Sequence, residues 1–253
     1  MELPDYWMPR PAPGPDAATV TEFDRLLDEA VAAGPDAFID YRLVAPKWQF
    51  LCHAADSGGF VLHGTGRPDI TIFEPRQSND VAEFGNRKAV YAASDGLWPM
   101  YFAILDRDRY DIGLVNACIQ VSGREGSYYY FSITDSVLEQ QPWRDGVVYL
   151  LPSDTFELQA PIIDDGVEIH IAQVASLTEV RPAAKLRVRP EDFPFLKAIR
   201  GHDTELLRSR AAADPDGFPW AEDGDCQPLE HTPDLINSTT SGGRPAGRRR
   251  CCW

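Results

Sequence analysis

The spacing of apolar positions changes along the chain. Thr19 and Glu22 have the spacing of a capping box, and Phe23, Leu26, Leu27, Ala30 and Val31 recur on one helical face until Gly34-Pro35, which predicts an amphipathic helix. Residues 36–43 predict a short strand or turn. Residues 46–55 predict a second helix burying Trp48, Phe50 and Leu51, stopped by Ser57-Gly58-Gly59. Two short apolar runs follow, each of strand length and each ending on polar groups where a core residue would be expected. The first is Phe60-Val61-Leu62-His63-Gly64-Thr65 and the second is Ala89-Val90-Tyr91-Ala92-Ala93-Ser94. Between them lie a turn at 66–69, a short apolar run at 70–73 and a polar stretch at 76–88, long enough for a loop that covers a site.

After the second run, residues 97–105 predict a buried helix whose Pro99 suits a first turn. Further on the period becomes that of strands. Residues 112–121, 127–134, 146–151, 167–174 and 180–188 are rich in β-branched and aromatic side chains and are separated by turns, with a short helical connection at 136–141. Helices early and antiparallel strands late predict an α+β domain. Its expected extent is residues 36–200, after an extended lead-in and helix in 1–35. A short helix near 203–212 and a disordered tail from Pro215, poor in apolar residues, complete 201–253.

Charge narrows the partners. The 253 residues carry 24 Lys and Arg against 39 Asp and Glu, a formal net charge of -15, which repels phosphate backbones at long range. A nucleic-acid partner is disfavoured. No apolar run reaches the roughly 20 residues of a membrane span, and Met1-Glu2-Leu3-Pro4-Asp5 lacks the character of a signal peptide, so a cytoplasmic location is expected. The five cysteines form no C-x-x-C pair, and neither a zinc site nor a disulfide framework is expected. Cys52 and Cys118 read as core thiols.

The chemistry therefore rests on the two runs with polar ends. A histidine at a strand end followed by glycine sends a side chain towards a cleft and lets a ligand approach the backbone. A tyrosine ending a neighbouring strand offers a flat face, so His63, Gly64 and Tyr91 together could clamp a planar, amide-bearing ring. Taken singly, each has a plainer reading: a hydrogen-bonded structural histidine, a half-buried strand tyrosine, core aromatics at 98–102.

These segments resemble the ADP-ribosyltransferase superfamily, in its diphtheria-toxin and poly(ADP-ribose) polymerase branch. The resemblance is carried by His63-Gly64-Thr65, by Tyr91-Ala92-Ala93-Ser94, and by Tyr101 and Phe102 at the spacing of a second aromatic. Its third element, a glutamate opening a late strand, is best matched by Glu168 in Val167-Glu168-Ile169-His170-Ile171, while Glu139 and Asp145 precede another strand of suitable character. The resemblance implies split antiparallel sheets around an NAD cleft with flanking helices. It implies that NAD is the substrate and that no metal is needed. His63 would hold the adenosine-side ribose, and the Gly64 backbone the carboxamide. Tyr91 would stack on the nicotinamide, with Tyr101 or Phe102 on its other side. Thr65 and Ser94 would add contacts. Glu168 would stabilise positive charge as the glycosidic bond breaks, as a carboxylate does in glycoside hydrolysis.

The activity implied is transfer of ADP-ribose to an unidentified acceptor, protein or small molecule, or hydrolysis of NAD without one. Two alternatives stand beside it. One is a non-catalytic nucleotide-binding or protein-interaction module of the same fold. The other is an RNA 2'-phosphotransferase, which needs several phosphate-binding basic residues where the sequence offers Arg67, Arg76, Arg87 and Lys88. There is no P-loop, G-x-S-x-G elbow, H-E-x-x-H or complete G-x-G-x-x-G.

Overall fold

The computed structural model describes residues 3–78, 83–214 and 217–220. The early helices form as expected, with adjusted ends. Helix α1 (Ala17–Ala33) is capped not by Thr19 but by Asp16, whose carboxylate accepts from the Thr19 N–H, so the true N-cap lies three residues earlier. Helix α2 (Lys47–Asp56) buries Trp48, Phe50 and Leu51. Helix α3 (Trp98–Ile104) carries Pro99 in its first turn. Residues 36–43 supply only an isolated bridge from Phe38 to Lys185.

Among the described residues the strands form two sheets that are antiparallel but for one pair. The first runs β1 (Met8–Pro9), β6 (Tyr128–Thr134), β5 (Leu114–Val121), β10 (Val167–Ile171), β9 (Ile162–Asp164). Strand β13 (Arg200–His202) lies parallel to β6. The second runs β12 (Ala184–Val188), β7 (Gly146–Pro152), β2 (Phe60–Thr65), β4 (Lys88–Ala93), β11 (Gln173–Ser176), β8 (Glu157–Leu158). The two-residue β3 (Arg76–Gln77) adds to β4. Helices α4 (Asp135–Leu138) and α5 (Thr204–Ala213) complete the chain. This is an α+β arrangement, and among the described residues no helix is long and apolar enough to cross a membrane.

The stretch 167–174, expected as one strand, is two. It breaks at Ala172, whose N–H donates to Cys118 of the first sheet while its carbonyl accepts from Ser94 of the second. The main core fills the space between the sheets. Leu62, Ala93, Val148 and Leu150 come from one side, Cys118, Tyr129 and Phe131 from the other, with the buried faces of α1, α2 and α3 between. The helix of the lead-in thus shares this core through Phe23, Leu26 and Ala30. Cys52 and Cys118 are buried free thiols, both pushed up in pKa by burial; the other three cysteines lie outside the described residues, as does nearly all of the tail.

Helix α3 lies unusually close to the second sheet because two glycines face it. A Cβ on Gly64 would stand 1.7 Å from the Pro99 carbonyl oxygen, and one on Gly146 would stand 2.0 Å from that of Ala103. Buried Asp95 anchors the helix entry. Its carboxylate accepts from the Leu97 and Trp98 N–H groups, from the Tyr129 hydroxyl and from Arg10, which also pairs with Asp56.

Candidate functional site: a cleft where two strands part

Strands β2 and β4 are neighbours, yet one residue pair alone joins them, Leu62 with Ala93. Continued, the ladder would bring Gly64 opposite Tyr91; instead the strands part. On its other side β2 remains fully paired with β7 through Thr65. In an antiparallel strand, alternate residues turn their N–H and C=O groups to opposite sides. The groups that β2 directs towards β4 beyond Leu62 therefore face the opening.

The opening is a cleft of about 850 Å³, within the range of small-molecule and cofactor sites. His63, Gly64 and Thr65 from β2, Tyr91 from β4 and Phe102 from α3 all line it. A recess of about 50 Å³ shares His63, Gly64, Tyr91 and Phe102 with the cleft and is lined also by Leu62, Ala92, Ala93, Trp98, Pro99 and Gln173.

His63 spans the parting. Its Nδ1 lies 2.7 Å from the Tyr91 carbonyl oxygen; since a carbonyl only accepts, Nδ1 bears the proton and Nε2 is left as the acceptor of the neutral ring. Burial lowers the His63 pKa, the bond to Tyr91 opposes that shift, and the guanidinium groups of Arg107 and Arg76 reinforce it. The imidazole is thus held uncharged. Phe73 braces it edge-on at 4.8 Å.

Tyr91 is fixed at its far end. Its hydroxyl accepts from the Arg87 N–H at 2.8 Å and lies 2.9 Å and 3.0 Å from the Phe84 and Arg87 carbonyl oxygens. The ring is left as a wall of the cleft.

Three expected site residues stand elsewhere. Tyr101 is fully buried: its hydroxyl donates to the Ser132 carbonyl and its ring packs on Phe131, so of the two aromatics on α3 Phe102 turns to the cleft. Ser94 is turned to the strand junction. Its N–H is taken by Ala172, and it lines neither cavity. Glu168 is the largest displacement. It lies in β10 of the other sheet, opposite Ile163, with its side chain 54% exposed and 3.7 Å from His170. The break at Ala172 is the reason, since it assigns Glu168 to one sheet and leaves Gln173 to open the strand beside Tyr91. Glu139, capping α4, and the exposed Asp145 do not line the cleft either.

Other cleft residues were not foreseen. Arg107 and Arg109 come from the loop after α3 and Arg144 from the approach to β7; with Arg67 and Arg76 they place five arginines around the cleft, against the carboxylates Asp69, Glu74, Asp108 and Asp111. Arg144 pairs with Asp108 at 2.6 Å, but its Nε is buried without a partner among the described residues. Arg76 and Glu74 have no ion-pair partner among the described residues. The alternating charges of Asp106-Arg107-Asp108-Arg109 were the available signal, and nothing local told which way that loop folds. Arg87 instead reaches Glu157 and covers Phe84.

Comparison with family models, with curated proteins and with solved structures finds no match for this chain.

Proposed function

We propose that the protein binds a nicotinamide dinucleotide, NAD or a close analogue, in the cleft between β2 and β4, as a nucleotide-binding protein of ADP-ribosyltransferase-like, split-sheet architecture. One observation carries the reading. His63, Gly64, Thr65, Tyr91 and Phe102, from three elements within residues 60–104, converge on one cleft. Tyr91 supplies a stacking face, the unpaired edge of β2 supplies backbone groups for a carboxamide, and neutral His63 supplies an acceptor at Nε2 for a ribose hydroxyl. Arg67 and Arg144 are already paired with Asp69 and with Asp106 and Asp108, but Arg76, with no ion-pair partner among the described residues, suits a pyrophosphate, which a chain of net charge -15 would otherwise repel.

Glu168 has no part in this site, so the binding reading is preferred over transfer through that residue. A second reading, ADP-ribosyl transfer or NAD hydrolysis, draws support from Glu74, a carboxylate on the cleft wall with no ion-pair partner among the described residues. The arginines equally lend weight to a 2'-phosphotransferase.

Calorimetric titration of the full chain with NAD, run beside an assay for release of labelled nicotinamide, tests these readings. Binding without release, unchanged in Glu168→Ala, is expected. Release that is lost in Glu74→Gln would establish the enzyme instead. NAD-dependent removal of phosphate from a 2'-phosphorylated oligonucleotide, the phosphate displacing nicotinamide from NAD, would replace both.

A further inference from the structure

Gln173 is 4% exposed, yet its side-chain amide makes no hydrogen bond among the described residues. The amide is not among the fully enclosed polar atoms that lack a partner, so it is open to the space it lines and can bond to what enters there. Gln173 pairs with Ala93 while Tyr91 pairs with Ala175, so Gln173 and Tyr91 are diagonal neighbours on one face of the sheet. Both line the recess that adjoins the cleft.

The recess has a distinct chemical character. Leu62, Ala92, Ala93, Trp98, Pro99 and Phe102 make it largely apolar, and no lysine, arginine, aspartate or glutamate lines it. The arginines line the cleft and are absent from the recess. A ligand group entering here loses water and meets no compensating charge, so a carboxylate is strongly disfavoured. An uncharged group with both a donor and an acceptor can be satisfied by the amide of Gln173, which offers both.

We propose that Gln173 is a specificity-determining residue that hydrogen-bonds the carboxamide of the bound ligand's ring, so that the recess selects a neutral amide over the corresponding carboxylate. The inference rests on the dinucleotide reading above and adds the property by which the site would tell NAD from its nicotinic-acid analogue. A site whose buried polar group is left unpaired by the wrong ligand discriminates far better than one of apolar contacts alone.

The test is a calorimetric comparison of NAD with nicotinic acid adenine dinucleotide, on the full chain and on two variants. The wild type is expected to bind the amide form at least about tenfold more tightly. Gln173→Met keeps the bulk and removes the hydrogen bonds, and should weaken NAD roughly tenfold while bringing the two affinities within about threefold of each other. Gln173→Leu, of similar bulk and likewise without polar atoms, should narrow the preference in the same way, and it serves if the methionine variant does not fold, as judged by circular dichroism. A wild type without preference overturns the proposal, and so does a folded Gln173→Met or Gln173→Leu that retains the full preference. In each of those cases NAD is still bound, whereas a wild type that binds neither dinucleotide overturns the underlying reading of the cleft as well.

Discussion

The Tyr91 hydroxyl is engaged by backbone groups of Phe84 and Arg87, so the ring and the hydroxyl of this residue have separable duties. Tyr91→Phe keeps the stacking surface and should leave NAD affinity within about threefold of wild type. Tyr91→Ala removes the platform, and at roughly 1–3 kcal/mol per stacked base should weaken NAD tenfold or more, as read by calorimetry. A different residue governs acid stability. His202 is buried against the Ser132 hydroxyl at 2.7 Å, and burial lowers its pKa from 6.5 to about 4. The unfolded chain takes up the proton first, so this group's contribution is complete above about pH 6.5 and declines as the pH falls towards 4, by up to roughly 1.4 kcal/mol per unit. Urea unfolding between pH 7 and 4.5 should show a shallower loss for His202→Asn than for wild type.

At the scale of elements, the glycine of His63-Gly64-Thr65 has a packing duty as well as a place in the cleft. Its missing Cβ is the space taken by the Pro99 carbonyl, so Gly64→Ala must displace α3 or the strand. A loss of roughly 1–3 kcal/mol or more is expected, seen as a lower Tm, with Gly146→Ala behaving alike for the same reason. The helix–strand order, most strand positions and the wall-forming residues of β2 and β4 were legible in the sequence, because each depends on local period and turn chemistry. The third corner of the site was not. Residues 167–174 read as one strand since both halves are β-rich, and alternation within a strand cannot report a change of sheet. Ala172 bonds Cys118 and Ser94, contacts set by chain segments distant in sequence. The same limit hid the arginines after α3. It also hid edge strands β8 and β9, whose Leu158, Ile162 and Ile163 are exposed and show no buried face.

At the scale of the whole molecule, Asp95 joins parts that the sequence separates. It caps α3, holds Tyr129 of β6 and receives Arg10 beside β1, which in turn reaches Asp56 at the end of α2. Asp95 is wholly buried, and removing one partner of a buried ion pair leaves the other poorly compensated. Asp95→Ala should therefore cost roughly 3–5 kcal/mol, measurable by denaturant unfolding. Because Arg10 is one of its partners, the lead-in is held to the core by a charge as well as by the apolar face of α1.

Ala172 has a consequence for how the molecule opens. A single peptide step carries the chain from one sheet to the other while its own N–H and C=O are spoken for by both. Neither sheet can lift away without breaking that junction, which couples their fluctuations. In deuterium exchange under native conditions, the amides of Ala172, Ser94 and the central strands of both sheets should therefore share one slow, denaturant-sensitive opening, while the β8 and β9 edges exchange ahead of them.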